Sequence, residues 1–196
     1  MTTPDEVLDY WFPADPTRAN KLWWGKDEGL DAEIRERFGA GLRAAKTGAL
    51  DHWAEQARGR LALIVVLDQL SRNIHRDDPE AFAADEQARA LSEAGLERGH
   101  DRQLRPIERV FFYLPLEHSE SLADQERCVE LMRALAEEVA KQDLARREQF
   151  EGFVDYAVRH RDIIARFGRF PHRNAVLGRA STPEELEFLT QPGSSF

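Results

Sequence analysis

The 196-residue chain has the composition of a folded globular protein, with 42% hydrophobic and 32% charged residues. Its formal net charge of -9 argues against duplex nucleic acid or an anionic membrane surface as the main partner. The longest strongly apolar run, residues 61–67, is far shorter than the roughly 20 residues of a membrane span, and the acidic start of the chain is unlike a secretory signal. We therefore expect a cytoplasmic protein without a membrane anchor.

The chain contains a single cysteine, Cys128. One cysteine excludes an internal disulfide and a cysteine-based zinc cluster. Because Cys128 falls within an apolar helical pattern, we predict a buried, inert thiol rather than a nucleophile.

Helical periodicity and helix-boundary signals recur along the chain. Thr-Pro-x-Glu capping boxes that begin at Thr3 and Thr182 open the first and the last predicted helix. Apolar stripes predict the helices between them, at 27–46, 60–72, 78–99, from 106 onwards, 122–139 and 144–167. No segment alternates polar and apolar residues as a half-buried strand does. We therefore predict an all-α fold in which residues 1–196 form a single domain of antiparallel helical hairpins.

A carboxylate interrupts the apolar stripe of the helix at 60–72, which is apolar nearly all round and therefore predicted to be central. Leu61, Ile64, Val65 and Asp68 occupy positions i, i+3, i+4 and i+7 of one face. Asp68 is therefore expected to point into the core. Arg72 follows one turn later, at the spacing of an ion pair. The pair is either a structural salt bridge at the helix end or part of a polar site.

A second polar group follows the helix predicted from Pro106. The apolar face of that helix continues to His118, and Pro115 interrupts the helical hydrogen bonds just before it. Glu117, His118 and Glu120 are therefore expected close together at a kinked or ending helix. Alternatively, Glu120 or the neighbouring serines cap the next helix, and His118 has a structural partner.

The basic segment near the C-terminus combines an inward-facing histidine with a turn. His160 lies on the apolar stripe of its helix, and Gly168 ends that helix. Pro171 drives the preceding Phe170 out of the helical region, so the polar side chains of the turn can converge on one point. These side chains are Arg169, His172, Arg173 and Asn174.

An Arg-Asn pair followed by a Pro-Glu helix start occurs twice in the chain. The first copy, in residues 71–82, contains Arg72 and Asn73. The second copy, in residues 172–186, contains Arg173 and Asn174. The shared context predicts two related turns.

Together these features define a set of candidate ligand-binding residues near helix ends. They are Asp68, Arg72, Asn73, Glu117, His118, His160, Arg169, His172, Arg173 and Asn174. Guanidinium groups at such positions can bind a phosphate or a carboxylate bidentately. The three histidines, with Glu117 or Asp68, could instead ligate a divalent metal. Because none of these three histidines stands in an HExxH or ExxH spacing, we expect neither a metal nor a cofactor.

Several segments form a recognisable pattern: FGRFPHRN, PLEHSE, LDQLSRNIHRDDPEAF, the N-terminal DYWF and LWWG, and the terminal QPGSSF. The pattern resembles the bacterial family known as domain of unknown function 924, over essentially the whole chain. The resemblance implies an all-helical, tetratricopeptide-repeat-like fold, although the sequence has no clean 34-residue period. It implies no established activity. Its motifs map onto Asp68, Gln69, Arg72 and Asn73, onto 116–120, and onto His160 and 167–174.

Two places depart from the family pattern. Leu70-Ser71 stands where the resemblance leads us to expect Phe-Pro. His75 and Asp77 stand where Phe and Gly are expected. These departures put the shape of the 70–77 turn in doubt, not the fold.

The leading functional hypothesis is a helical binding module with a pocket for an anionic small molecule or an acidic peptide terminus. Arg72, Arg169 and Arg173 would supply positive charge to this pocket. The asparagines and histidines of the candidate set would orient the ligand. The sequence leaves the oligomeric state open.

Two alternatives stay open beside the binding module. One is a hydrolase-type enzyme that uses His118 or His160 as a general base, with Glu117 or Asp68 as its orienting carboxylate and a metal as an optional component. The other is a protein–protein interaction scaffold, in which these motifs only stabilise helix ends.

Overall fold

The computed structural model describes residues 2–195, and no strand occurs among them. The α-helices of this range are α1 (Pro4–Trp11), α2 (Pro16–Trp24), α3 (Glu28–Lys46), α4 (Ala57–Ile64), α5 (Ser71–Ile74), α6 (Asp85–Glu97), α7 (Pro106–Glu117), α8 (Leu122–Gln142), α9 (Arg147–Phe167) and α10 (Pro183–Leu189). A π-helical segment, Val65–Leu70, joins α4 to α5. Short 3-10 turns occupy Asp51–Glu55, Pro79–Ala81, Asp101–Gln103, Leu144–Arg146 and Pro171–Arg173. The prediction of an all-α fold is confirmed.

These elements form two compact units. The first unit runs to Arg76 and resumes over Glu80–Pro115, whereas the second comprises Asp77–Pro79 and the chain from Leu116 onwards. The single domain predicted for residues 1–196 stays a prediction. Within the described range, no helix has both the length and the apolar character needed to cross a membrane.

The centre of the first unit is the helical run from Ala57 to Ile74. Every residue from Leu61 to Leu70 is buried, as expected for a helix that is apolar nearly all round. Helices α1, α3 and α6 pack against this run. The run therefore carries Asp68 into the interior, where that residue is fully buried.

The second unit is organised around a hairpin of α8 and α9, which pack along each other and are joined by residues 143–146. The buried stripe of α8 includes Cys128, Met132 and Leu135. Beyond α9, Phe170 is fully buried and packs with Ile163 and Ile164. Gly168 ends α9 in the left-handed conformation, at φ 68°, as its position after the apolar stripe predicted.

One predicted helix was wrong in its bounds, one helix was missed, and the end of a third was confirmed. The helix predicted over 78–99 splits into the turn Pro79–Ala81 and α6. In the turn, the Glu80 carbonyl accepts hydrogen bonds from the Lys46 ammonium and the Ser71 hydroxyl. Helix α7 contains Pro115 and ends at Glu117, as expected of an ending helix at this point. Helix α2 was missed, although Asp15 caps it and Pro16 is its first residue.

Two helical glycines of this fold should respond oppositely to alanine. A Cβ at Gly59 would clash with the Trp53 carbonyl oxygen, whereas a Cβ at Gly152 meets no atom within 4 Å. Gly59→Ala is therefore expected to destabilise the protein by about 1–3 kcal/mol. Gly152→Ala is expected to stabilise it by up to about 1 kcal/mol, because alanine is the better helix former.

Urea denaturation of both glycine variants and the wild type measures these changes. Because the substitution is the same, intrinsic helix propensity acts in the same direction at both sites. Equal stabilisation of the two variants would show that Gly59 is not in close contact with the Trp53 backbone.

Candidate functional site

Three histidines, Phe170 and Arg173 meet in the second unit and form what we call the histidine cluster (His118, His160, His172, Phe170 and Arg173). The ring centroids of His118 and His160 lie 6.4 Å apart. Phe170 contacts two of the histidines, with its ring centroid 5.6 Å from that of His160 and 5.5 Å from that of His172. His118 and His172 are half-buried, so the cluster reaches from the interior to the surface.

His160 is the buried member of the cluster, with 4% of its surface exposed. Its Nδ1 lies 2.9 Å from the Tyr156 carbonyl oxygen. Because a carbonyl can only accept, Nδ1 carries the proton and Nε2 is the acceptor nitrogen. Burial lowers the pKa of His160 to about 3: the hydrogen bond to Tyr156 opposes this shift, and the charges of His118, Arg173 and His172 add to it. His160 is therefore neutral at physiological pH.

Arg173 contacts both chain segments of the cluster, the one that contains His118 and the one that contains Phe170. Its guanidinium donates from Nη1 to the His118 carbonyl oxygen at 3.0 Å. Its Cζ lies 4.4 Å from the centroid of the Phe170 ring, within the range of a cation–π contact. Arg173 is 6% exposed, so its charge lies next to the histidines rather than in bulk solvent.

Glu117 lies beneath the cluster, between a histidine and the cysteine. Its Oε1 is 3.4 Å from His160 Nδ1, and its Oε2 is 3.9 Å from the Cys128 sulfur. Burial, followed by the charge of Glu117, raises the pKa of the Cys128 thiol. The thiol therefore stays protonated at neutral pH, and its predicted burial is confirmed.

The repeated Arg-Asn sequence produces two turns of similar design. Asn73 donates to Asp31 at 2.9 Å, and Arg76 holds the same carboxylate through two nitrogens. In the second unit, Asn174 donates to Glu185 at 3.2 Å, and Arg169 binds both oxygens of that carboxylate. In each turn, an asparagine and an arginine bind the same buried carboxylate. The two turns therefore resemble each other in these side-chain contacts as well as in sequence.

The carboxylates of both turns are strongly stabilised as anions. Hydrogen bonds from Arg169 lower the pKa of Glu185 to about 2, although burial opposes the shift. For Asp31, burial would raise the pKa, but hydrogen bonds from Arg76 and Asn73 bring it below its usual value. Asn73, Arg169 and Asn174, which we predicted to bind a ligand, therefore hold carboxylates of the protein itself.

Asp68 and Arg72 form the predicted ion pair in the first unit, with 3.3 Å between Arg72 Nη2 and Asp68 Oδ1. Asp85 joins them, 3.0 Å from the same nitrogen. Burial alone would lower the pKa of Arg72, but Asp68 and Asp85 raise it above the ordinary value. Asp68 also accepts from the Gln69 amide at 2.6 Å. This geometry fits the structural-salt-bridge interpretation.

The predicted site residues therefore fall into two sets. Asp68, Arg72 and Asn73 belong to the first unit, and the others belong to the second. Three residues that complete these arrangements were missed by the sequence analysis: Phe170 as the centre of the cluster, Asp31 and Glu185. A fully apolar Phe170 next to Pro171 carries no chemical signal in the sequence, and Asp31 lies 42 residues from Asn73.

Within the part of the chain that the structure describes, no three His, Cys, Asp or Glu side chains are grouped so that they could hold a metal ion. The metal-assisted alternative therefore lacks a set of protein ligands among residues 2–195. His160 and His172 contact the Phe170 ring, and the ring centroid of His118 lies 6.4 Å from that of His160.

Comparison with known proteins agrees with this architecture. The family model described as "Bacterial protein of unknown function (DUF924)" matches residues 7–193. A solved structure of a protein of unknown function from Agrobacterium tumefaciens is 36% identical, with a TM-score of 0.81. The alignment covers 95% of this chain and 96% of that one. No functionally curated protein matches the sequence.

Proposed function

The chain belongs to the DUF924 family, described as bacterial proteins of unknown function, and we propose that its histidine cluster binds an anionic small molecule or the acidic terminus of a peptide. The observation that carries this proposal is the packing of His172 and Arg173 against Phe170, with the Arg173 guanidinium hydrogen-bonded to the His118 carbonyl oxygen. A guanidinium and imidazole N–H groups are donors that suit a phosphate or a carboxylate.

The position of Arg173 supports recognition of an anion. A charge-assisted hydrogen bond is stronger when its arginine is sheltered from water, and Arg173 is 6% exposed. The contact with the Phe170 ring holds the guanidinium in one plane, so little side-chain freedom remains to be lost on binding. His118 and His172, at half-buried positions, are the residues that a ligand reaches from the surface.

The properties of His160 favour binding over acid–base catalysis. A general base works best with a pKa near the working pH, whereas burial lowers the pKa of His160 to about 3. In addition, His160 Nδ1 is closer to the Tyr156 carbonyl, at 2.9 Å, than to Glu117, at 3.4 Å. The neutral imidazole therefore suits a hydrogen-bonding role at Nε2.

The proposal can be tested with inorganic phosphate, citrate and an acidic dipeptide as probes in thermal unfolding. A probe at about 100 times its dissociation constant stabilises a folded protein by about 2.7 kcal/mol, which corresponds to a rise in Tm of several degrees for a chain of this size. Each probe is compared with sodium chloride at the same ionic strength. We expect at least one of the three anions to raise Tm.

Two variants assign such a response to the cluster. Arg173→Gln and His118→Asn are expected to reduce the anion-dependent rise, measured against each variant's own Tm without ligand. Arg161→Gln is the matched control, because Arg161 pairs with its neighbour Asp162 on the surface. No response of the wild type to any probe, or equal responses in all variants, would contradict the proposal.

We further propose a tetratricopeptide-repeat-like arrangement of the helices. The α8–α9 hairpin supports the tetratricopeptide-repeat-like arrangement that the family resemblance implies. We also propose a cytoplasmic location, and the acidic net charge of -9 supports a partner other than nucleic acid.

A further inference from the structure

The backbone N–H and carbonyl of Phe170 are both hydrogen-bonded to one ion pair, formed by Glu120 and Arg179. Its N–H donates to Glu120 Oε1 at 2.8 Å, and its carbonyl oxygen accepts from Arg179 Nη2 at 3.1 Å. Arg179 and Glu120 bind each other through two further hydrogen bonds, of 2.7 Å and 2.9 Å. We call this arrangement the Phe170 clamp (Glu120, Arg179 and the backbone of Phe170).

The clamp differs from an ordinary surface ion pair in three respects. Its members are distant in sequence, since Glu120 lies 50 residues before Phe170 and 59 before Arg179. Both side chains are largely shielded from solvent, with 30% and 25% exposed. Both are also bonded to the main chain of a residue whose own side chain is fully buried. The pair therefore fixes a position of the backbone as well as its own charges.

The charge state of Glu120 agrees with this geometry. Burial would raise its pKa, but the hydrogen bonds from Arg179 and from the Phe170 N–H, together with the charges of Arg179 and Arg173, bring it below the usual value. Glu120 is therefore an anion over the physiological pH range, and the clamp is closed under the conditions in which a ligand would bind.

Phe170 transmits this restraint to the histidine cluster. Its ring contacts His160 and His172, and the Arg173 guanidinium lies over it. A rotation of the Phe170 backbone would therefore displace the three groups that surround the ring. Because a binding site loses affinity when its donors shift by a fraction of an ångström, the clamp controls the geometry of the donors.

We infer that Glu120 and Arg179 are positioning residues of the anion site, which hold Phe170 so that Arg173 and His172 face a ligand. This inference rests on the proposed function, because the affinity that it concerns is that of the histidine cluster. Neither residue needs to contact the ligand, since both act through the main chain of Phe170.

The test compares Glu120→Gln and Arg179→Lys with Arg166→Lys. Glutamine keeps the shape of Glu120 and removes its charge, and lysine keeps the charge of Arg179 but lacks the fork that reaches two acceptors. Arg166→Lys is the matched control, because Arg166 binds Glu184 through two nitrogens in an exposed pair, with 48% and 63% of the side chains exposed.

The first measurement is the dissociation constant of inorganic phosphate, or of citrate if phosphate does not bind, by isothermal titration with folded protein. Each clamp variant is expected to weaken binding by roughly tenfold, because the donors around Phe170 are no longer held in place. The Arg166→Lys control should bind as tightly as the wild type. Unchanged affinity in both clamp variants would overturn the inference.

The second measurement does not depend on a ligand. Hydrogen exchange of the Phe170 amide, followed by NMR, is expected to be faster in Glu120→Gln than in the wild type and the control, while exchange in the middle of α8 is unchanged. If the wild type binds none of the anions but this exchange is selectively faster, the proposed function fails and the positioning role survives. Equal exchange of the Phe170 amide in all proteins would overturn the positioning role itself.

Discussion

Acid is expected to destabilise the protein through His160, by about 1.4 kcal/mol per pH unit below pH 6.5. The folded state keeps this histidine neutral, because burial lowers its pKa to about 3. In the unfolded chain its pKa has the ordinary value near 6.5. Between these two values, the unfolded state binds more protons than the folded state. Stability contributed by the neutral imidazole is therefore fully present above pH 6.5 and is lost as the pH falls towards 3.

The substitution His160→Gln isolates this contribution. Glutamine can donate to the Tyr156 carbonyl as the imidazole does, but it does not titrate. The variant is expected to lose less stability than the wild type when urea denaturation is repeated at pH 7, 5.5 and 4.5. Charges around the position, including those of His118, His172, Arg173 and Glu117, are retained in both proteins.

The control for this comparison is the exposed histidine His52. His52→Gln replaces an exposed imidazole without changing the buried site, so the dependence of its stability on pH should follow that of the wild type. A His160→Gln profile as steep as the wild-type profile would show that His160 is not held neutral by its surroundings.

Replacement of Arg60 by leucine is expected to destabilise the first unit by about 3 kcal/mol. Arg60 is 4% exposed, and its guanidinium donates to the carbonyl oxygens of Ala54 and Leu91 and to Nδ1 of His100. Leucine would leave these three acceptors without that donor in the interior. Burial disfavours the charged form of Arg60 and lowers its pKa. Leucine removes this buried charge, which offsets part of the lost stability.

Arg60→Lys should be nearly as damaging as Arg60→Leu, because one ammonium cannot reach three acceptors that surround a guanidinium. Arg102→Leu serves as the control, since Arg102 is exposed and surface substitutions usually change stability by less than about 0.5 kcal/mol. Urea denaturation measures all three variants. If Arg60→Leu were as stable as Arg102→Leu, the buried hydrogen bonds of Arg60 would contribute nothing.

The predictable part of the candidate site was its set of inward-facing groups. Asp68 and His160 stand at helical spacing with apolar residues, and both proved to be buried because side chains three and four positions apart share one face of a helix. The i, i+4 pair of Asp68 and Arg72 is likewise a local property, and the structure contains it.

The unpredictable part was the choice of partners. From the sequence we expected Arg169 and Asn174 to bind a ligand, but both bind the Glu185 carboxylate. Arg60 was read only as the start of an apolar helix, although it occupies the interior. A guanidinium binds any well-placed carboxylate or carbonyl, so its type alone does not indicate which acceptor it meets.

The sequence by itself determined the helical class of this protein and most of its helix boundaries, because caps, prolines and apolar periodicity act over a few residues. It also determined that His160 points inward. Only the tertiary structure decided that Phe170 is surrounded by His160, His172 and Arg173, and that Glu120 and Arg179 hold its backbone. These contacts join groups as far as 59 residues apart, and such distances are set by how helices pack rather than by local preference.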